Sequence, residues 1–357
     1  MHIITCEQVS SGHPDKICDQ IADAIVTDVM QHDHDARVAA EVLIKGNQIV
    51  IAGEITSSYT PNYRVLVREV FERIGLERLG YEEDVFDIHV LMDRQSPDIA
   101  MGVDKGGAGD QGMMYGYATN ETPELLSIPF VLATDFLRIL EKHPSHMFRA
   151  DAKAQVSFDY DSGRITTFLC SVQHSPDVEL GDFRHVIESM MVLTAARLGL
   201  NTDFEKLVNP TGRFVIGGPF ADCGVTGRKL ACDTYGGVGR IGGGAMSGKD
   251  PSKVDRSGAY IARKIARDIV MAGYADKAEV QIAYAIGVAE PISIHVDCFG
   301  TEKQSQEFLE DYIRDNYDLT PRGIINGLGL LDVDYNKVSA YGYFGKRDLP
   351  WEMKVIS

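Results

Sequence analysis

The chain has 357 residues, of which 44% are hydrophobic and 24% charged, a composition typical of a globular protein with two or three domains. A formal net charge of −17 argues against a nucleic-acid partner, and no apolar run reaches the ~18 residues that a membrane span requires. The N-terminus lacks the basic and apolar regions of a secretory signal. Six scattered cysteines without a C-x-x-C pair argue against disulfides and zinc, so we expect a cytoplasmic protein.

Hydrophobic spacing predicts the same order of elements three times: a helix, a β-hairpin, a second helix and a strand. The first unit has a helix over 14–30, a hairpin over 37–45 and 48–56, a helix over 61–75 and a strand over 85–92. The second has a helix over 129–142, a hairpin over 154–160 and 165–171, a helix over 183–198 and a strand over 213–216. The third has a helix over 253–271, strands over 279–286 and 292–299, a helix over 304–315 and a terminal strand over 338–344.

This repetition predicts the fold class. The first helices of the units begin near residues 14, 129 and 253, at offsets of about one third of the chain. The sequence therefore predicts an α+β fold of three similar domains with an approximate threefold internal repeat. We expect the domains to span residues 1–98, 107–217 and 218–357, with approximate boundaries across which segments can be exchanged. A sheet face left without helices would favour a homo-oligomer.

One stretch of the chain, residues 211–264, reverses the overall charge. It holds nine Arg or Lys side chains against four Asp, and 13 of the 35 glycines. Glycine lets the backbone approach a ligand closely and offers unhindered N–H donors, so cations among glycines favour a small polyanion such as the phosphates of a nucleotide. A solvated basic loop is the alternative interpretation.

Two nucleotide-binding motifs occur without everything that their usual function requires. Residues 107–112 (GAGDQG) match G-x-G-x-x-G, but a loop-like sequence precedes them and no helix opening follows, which excludes the dinucleotide-binding interpretation. Residues 243–250 (GGAMSGKD) match a Walker A motif except at Asp250, where a hydroxyl should contact Mg²⁺ and a carboxylate would repel the anion. A standard P-loop is therefore not expected, although Lys249 and the glycines can still hold phosphates.

Three further side chains are candidates for ligand contacts. Asp15 and Asp255 each lie beside basic residues and are candidate Mg²⁺ ligands, with a surface ion pair as the alternative for each. His13 could be a capping or packing residue. Its restraint by Pro14 and its small, charged neighbours favour a hydrogen-bond donor to a ligand oxygen.

Several segments, taken together, resemble S-adenosylmethionine synthetases. They occur in family order and extend the resemblance from about residue 5 to Trp351: residues 12–16 (GHPDK), 107–112 (GAGDQG), 151–153 (DAK), 209–214 (NPTGRF), 226–229 (TGRK), 242–250 (GGGAMSGKD) and 250–256 (DPSKVDR). Met246 stands where phenylalanine is common in the family. The resemblance implies that the thioether sulfur of methionine attacks C5′ of ATP, and that the expelled triphosphate is hydrolysed to pyrophosphate and phosphate.

The resemblance also implies roles for individual residues. His13 would hydrogen-bond the ATP chain near the departing oxygen, and the catalytic cations would be Lys153, Arg228 and Lys249. The ATP site would comprise His13, Asp151, Ala152, Lys153, Arg213, Phe214, Asp222, Arg228, Lys229, Ala245 and Lys249. The methionine site would comprise Glu54, Gln95, Asp110, Asp222 and Lys253. Mg²⁺ would bind Asp15 and, as a second candidate, Asp255, and K⁺ would bind at Glu41, for which a solvated edge carboxylate is the alternative.

The family forms homodimers with active sites at the interface, and these dimers can pair into homotetramers. One departure from the family lies between Gln95 and residues 107–112, where residues 99–106 form a segment shorter than in many members. Because a short loop covers less surface, we expect closure and product release to differ, with the roles of Gln95 and Asp110 less firmly implied. Two other functions stay open at this point: a P-loop-like kinase or ATPase, and a non-catalytic ATP-binding regulator.

Overall fold

The computed structural model describes residues 2–81, 85–94 and 107–353. Its helices are Pro14–His32 (α1), Tyr63–Ile74 (α2), Leu76–Leu79 (α3), Ile128–Glu141 (α4), Leu180–Arg197 (α5), Gly218–Ala221 (α6), Leu230–Asp233 (α7), Val254–Met271 (α8), Gln306–Asn316 (α9) and Pro321–Leu328 (α10). Its strands are Ile3–Val9 (β1), Arg37–Lys45 (β2), Gln48–Thr56 (β3), Asp87–Asp93 (β4), Gly112–Thr119 (β5), Phe148–Asp159 (β6), Arg164–His174 (β7), Glu205–Val208 (β8), Gly224–Val225 (β9), Lys277–Tyr284 (β10) and Ser293–Asp297 (β11). The predicted α+β class is confirmed. No helix in these ranges is long and apolar enough to cross a membrane.

Each of the three sheets is built around one of the predicted hairpins. The strand orders are β1-β6-β7-β8, β4-β3-β2-β9 and β11-β10-β5. In the first two sheets, the strand that follows the unit's second helix pairs in parallel with the second strand of the hairpin. Strands also cross between the predicted units, since β1 pairs with β6, β5 with β10 and β9 with β2. Shared strands therefore join the three units.

The predicted strand over residues 213–216 is wrong. The strand of this unit is β8, which lies earlier in the chain. Phe214 is instead bonded to the last residue of β7. Its N–H donates to the His174 imidazole Nε2 at 3.0 Å, and its carbonyl accepts the His174 N–H at 2.9 Å. These two bonds tie the segment to the end of β7, where it forms no ladder of its own.

The predicted terminal strand over residues 338–344 is also wrong. Tyr341 has a φ of 60°, which breaks an extended run. The ammonium of Lys346 donates to the carbonyls of Val338 and Ala340 at 2.6 and 2.7 Å, so those groups bond a side chain rather than a neighbouring strand. The third unit therefore lacks the final strand that the first two units possess.

Helix α1 positions much of the site because the protein buries it on both faces. Isoleucines and a valine recur every four residues on one face and are fully buried: Ile17, Ile21, Ile25 and Val29. A second row, which is acidic, is buried just as deeply: Asp15, Asp19 and Asp23. Pro14 occupies the first turn of α1, where its missing N–H costs nothing. The beginning of α1 thus carries charged side chains into the protein interior.

Candidate active site

His13 caps the N-terminus of α1. Its Nδ1 accepts the Asp15 N–H at 3.2 Å, and the residue is 2% exposed. Burial disfavours the charged imidazole and the charges of Lys229 and Lys153 add to this effect, so the pKa of His13 is lowered to about 3. A neutral ring that accepts at Nδ1 carries its proton on Nε2. His13 can therefore donate a hydrogen bond to a ligand oxygen at neutral pH.

Asp15 is the anionic centre of the same region. One carboxylate oxygen accepts the Val225 N–H at 2.9 Å, and the other accepts a hydrogen bond from Lys229 Nζ at 2.7 Å. The guanidinium of Arg228 lies 3.8 Å from the carboxylate. Burial alone would raise the pKa of Asp15, but the bonds from Lys229 and Val225 outweigh it and the pKa is lowered. Asp15 is therefore ionised and holds two cations in place.

Strand β6 brings the segment over 151–153 beside the start of α1. Ala152 is bonded to Ser10 twice, through its carbonyl at 2.9 Å and its N–H at 2.8 Å. Asp151 is buried, and one of its oxygens accepts the Gly218 N–H at 2.8 Å while the other has no partner among the described residues. Burial raises the pKa of Asp151 to about 6, although the Gly218 N–H and the charge of Lys153 oppose the rise.

Asp222 completes this cluster, which we call the His13 group. Its oxygen accepts the Cys223 N–H at 2.8 Å, and its charge acts on both His13 and Asp151. The members of the group are His13, Asp15, Asp151, Lys153, Asp222, Arg228 and Lys229. Arg213, which is exposed, and Phe214 lie at the end of β7. No hydrogen bond or ion pair joins these last two residues to the group among residues 2–81, 85–94 and 107–353.

A second set of predicted residues lines a cleft of about 220 Å³, which we call the Glu54 cleft. Its charged lining residues are Arg37, Glu54, Asp110, Lys249, Lys253 and Asp255. Lys249 Nζ lies 2.5 Å from an Asp255 carboxylate oxygen. Glu54, Asp110 and Lys253, which were predicted on the methionine side, thus share a cleft with Lys249, which was predicted on the triphosphate side.

Glycine-rich loops bring the two regions close together. Gly227 has a φ of 76° and packs against Ala245, such that a Cβ at position 227 would lie 2.5 Å from the Ala245 Cβ. The loop over 224–229, which carries Arg228 and Lys229, therefore touches the loop that precedes Lys249. Within the part of the chain that the structure describes, no hydrogen bond or ion pair joins the His13 group to the Glu54 cleft.

The remaining predicted residues lie apart or outside the described structure. Glu41 is exposed on β2, in one row with Ala52 on β3 and Leu91 on β4. Gln95 and the short segment over 99–106 lie outside the described residues. The expectations about closure of that segment therefore stay predictions.

Asp250 explains why the near-Walker segment is not a P-loop. The residue is 1% exposed, and its two oxygens accept the N–H groups of Val38 and Ser252, each at 2.8 Å. The carboxylate therefore faces inward and holds the start of β2 and the segment before α8. The hydroxyl that a P-loop places beside Mg²⁺ has no counterpart in this position.

Comparison with known proteins decides the family. Models of the N-terminal, central and C-terminal domains of S-adenosylmethionine synthetase match residues 1–97, 105–214 and 216–353. The chain belongs to the S-adenosylmethionine synthetase family. It is 45% identical to an S-adenosylmethionine synthase from Mycoplasma mycoides subsp. mycoides SC, over 98% of this chain and 94% of that protein. It also matches the solved structure of an unusual S-adenosylmethionine synthetase from Campylobacter jejuni, with a TM-score of 0.91 at 36% identity over 99% of this chain and 97% of that one.

Membership of the S-adenosylmethionine synthetase family confirms the predicted reaction. The enzyme is a methionine adenosyltransferase that makes S-adenosylmethionine from ATP and L-methionine. The thioether sulfur attacks C5′ of ATP, and the triphosphate that leaves is hydrolysed to pyrophosphate and phosphate. A thioether is already nucleophilic and needs no general base, so the residues of the site serve to bind, orient and stabilise charge.

S-adenosylmethionine synthetases use metal ions, and the donor set of this chain can be tested for such an ion. Among the described residues, no group of three His, Cys, Asp or Glu side chains could hold a metal ion. Mg²⁺ on a triphosphate takes only one or two protein carboxylates and fills its other positions with phosphate oxygens and water. Asp15 and Asp255 fit this need, since each is a carboxylate in ion-pair contact with a lysine, Lys229 or Lys249. A Cβ at Gly244 would lie 2.0 Å from the Asp255 Oδ1, so any larger residue at this position would occupy the space beside that carboxylate.

Sequence analysis missed a set of buried charges beneath the His13 group. Lys16 donates to Asp19 at 2.8 Å and also to Asp233. Asp23 bonds the guanidinium of Arg256, and all of these side chains are almost completely buried. The available signal was the four-residue spacing of the aspartates on α1, which places them on one helix face.

Proposed function

We propose that the His13 group binds the triphosphate of ATP and promotes its departure from C5′. The supporting observation is a buried, neutral His13 whose Nε2–H is available beside Lys229 and Lys153. His13 donates to the oxygen that leaves C5′, and Lys153, Arg228 and Lys229 neutralise the charge that builds on the triphosphate. Donors held in place before the reaction cost no reorganisation when this charge develops, which makes them effective in catalysis.

The nucleoside binds between β6 and the segment that follows β8. Asp151 has one buried oxygen without a partner, and this oxygen can accept a hydrogen bond from a hydroxyl of the nucleotide. Asp222, which is exposed, lies near enough for its charge to act on Asp151. Ala152, Arg213, Phe214 and Ala245 supply the remaining contacts to the nucleotide.

The Glu54 cleft binds methionine. Methionine carries an ammonium and a carboxylate, and the cleft offers a group of opposite charge for each. Glu54 and Asp110 bind the ammonium, and Lys253 binds the carboxylate. The same carboxylates favour the positive sulfonium that forms when sulfur bonds C5′. Lys249 and Asp255 lie at the boundary with the triphosphate, where Lys249 completes the set of catalytic cations. Gln95 is proposed for this site from the family resemblance alone.

The metal ions of this enzyme are Mg²⁺ and K⁺. Asp15, with Asp255 as the second candidate, holds Mg²⁺, which when bound neutralises phosphate oxygens. Glu41 is the candidate for K⁺. Because Glu41 lies exposed on an open sheet face with Leu91 and Ala52, its site needs further oxygen ligands from a second surface.

The enzyme works as a homodimer, and two such dimers can form a tetramer. The outer face of the β4-β3-β2 sheet carries exposed apolar side chains, with Leu43 39% and Leu91 65% exposed, which is typical of an interface. We infer from the family resemblance that the active sites lie at the interface between the two copies. All six cysteines lie in the described part of the chain as free thiols, which supports a cytoplasmic location.

The division of the site into two regions can be tested with two variants. Arg228→Ala should reduce kcat by roughly 10²–10³-fold and leave KM for methionine almost unchanged, because it removes one charge-stabilising donor from the triphosphate. Lys253→Ala should raise KM for methionine by roughly tenfold or more and affect KM for ATP much less. Steady-state rates of S-adenosylmethionine formation with one substrate varied at a time measure both. If both variants change the same substrate's KM, the division is incorrect.

A further inference from the structure

The acidic row on α1 binds the two loops that carry the proposed phosphate-binding cations. Asp15, Asp19 and Asp23 follow one another at four-residue spacing, and each accepts a backbone N–H at 2.9 Å. The donors are residues 225, 227 and 248. Residues 225 and 227 lie in the loop over 224–229, which carries Arg228 and Lys229. Residue 248 directly precedes Lys249. One helix face therefore contacts both loops.

Both loops contain a glycine whose backbone conformation these bonds hold in place. Gly227 and Gly248 have φ values of 76° and 78°, a conformation that glycine adopts without strain. A Cβ at Gly248 would lie 1.9 Å from the Ala40 carbonyl oxygen, so the backbone approaches β2 as closely as glycine allows. Glycine loops lose much conformational entropy when they are fixed, and a bond from each N–H to a buried carboxylate helps to offset that loss.

The charges of Asp19 and Asp23 are compensated away from the substrate region. Asp19 is paired with Lys16 at 2.8 Å, and Asp23 is paired with Arg256. A buried carboxylate without partners is strongly disfavoured, and Lys16 and Arg256 supply the opposite charge for these two aspartates. Lys16 bonds one oxygen of Asp19 and the Gly227 N–H bonds the other, whereas Arg256 and the Gly248 N–H both bond Oδ1 of Asp23.

We propose that Asp19 and Asp23 are positioning residues that hold the loops over 224–229 and 246–249 in register, so that Arg228, Lys229 and Lys249 converge on the triphosphate. This inference rests on the proposed roles of those three cations. Asp19 and Asp23 themselves touch no substrate. Loss of the Asp19 bond should therefore weaken triphosphate binding while leaving methionine binding intact.

Asp233 provides a matched control for Asp19. Both carboxylates are buried partners of Lys16, and only Asp19 also accepts an N–H from a phosphate-binding loop. Asp19→Ala and Asp233→Ala should therefore reduce stability to a similar extent. Asp19→Asn keeps an oxygen that can accept the Gly227 N–H, but a neutral acceptor holds this donor less strongly than a carboxylate does, so the variant should recover only part of any effect on the loop.

The experiment uses the full-length enzyme and measures hydrolysis of inorganic triphosphate, KM for ATP, KM for methionine and thermal unfolding for each variant. Asp19→Ala should raise KM for triphosphate and for ATP by about tenfold, the loss expected for one hydrogen bond to a charged group. Asp233→Ala should leave both within about twofold, and Asp19→Asn should fall between wild type and Asp19→Ala. Equal KM changes in the Asp19→Ala and Asp233→Ala variants would overturn the inference.

Hydrogen exchange tests the inference without using activity. Peptides that span residues 224–229 should exchange faster in Asp19→Asn than in Asp233→Asn, because the neutral acceptor holds the Gly227 N–H less strongly. Unchanged exchange in Asp19→Asn would refute a role for Asp19 in holding this loop. A wild-type enzyme that binds ATP but cleaves no triphosphate would instead count against the roles proposed for the cations.

Discussion

Replacement of His13 by asparagine tests the burial and neutrality of the residue at the head of α1. In the wild type, the pKa of His13 is lowered to about 3 from 6.5, mainly by burial and then by Lys229 and Lys153. Between about pH 3 and pH 6.5, His13 therefore binds a proton in the unfolded chain but not in the folded chain. Linkage makes the folded state less stable as the pH falls below 6.5, and between pH 7 and pH 5 the loss is about 2 kcal/mol.

Asparagine is a suitable replacement because its side-chain oxygen can accept the Asp15 N–H that His13 Nδ1 now accepts. His13→Asn carries no titrating ring, whereas every other acid-sensitive group is common to both proteins. Urea unfolding at pH 7 and pH 5, without Mg²⁺ or substrates, should therefore show that the wild type loses about 2 kcal/mol more than the variant. Equal losses of unfolding free energy in the two proteins would refute a buried, neutral His13.

Three further predictions concern single carboxylates and one cation. The pKa of Asp151 is raised to about 6, chiefly by burial, so ionisation of this carboxyl destabilises the fold as the pH rises from 4 to 6. In urea unfolding at pH 8, the free energy of unfolding of Asp151→Asn should therefore exceed that of the wild type by up to about 3 kcal/mol. The same variant should lose affinity for ATP. Lys249→Ala should reduce kcat by roughly 10²–10³-fold, whereas the control Lys206→Ala on the edge strand β8 should not, and an effect of Lys249→Ala below about threefold would contradict the assignment. Asp250→Ser should lose S-adenosylmethionine formation without gaining ADP formation, because the inward carboxylate bonds two backbone N–H groups; a gain of ATPase activity would favour a P-loop enzyme.

Local patterns in the sequence were sufficient for the elements that carry a regular row of apolar residues. The four-residue spacing of Ile17 to Val29 predicts α1, and the alternating residues around the turn at Gly46 predict the β2-β3 hairpin. Both depend on neighbours within a few positions along the chain. The family resemblance likewise named all seven members of the His13 group.

Long-range pairing was beyond the reach of these patterns. Strand β1 pairs with β6, which lies about 150 residues later in the chain, and the spacing of apolar residues in a strand does not indicate which distant strand it pairs with. The prediction of a terminal strand over residues 338–344 was wrong because the Lys346 ammonium bonds the Val338 and Ala340 carbonyls, which a strand would have used for its ladder. Asp19 and Asp23 escaped notice because their partners are backbone N–H groups 208 and 225 residues away.

The central claim is that this chain transfers the whole adenosyl group and releases triphosphate as its leaving group. Mass spectrometry of a reaction that contains the purified enzyme, ATP, methionine, Mg²⁺ and K⁺ tests it most directly. The account predicts S-adenosylmethionine together with equal amounts of pyrophosphate and phosphate. Formation of ADP alone, or no turnover with all substrates and ions present, would contradict it.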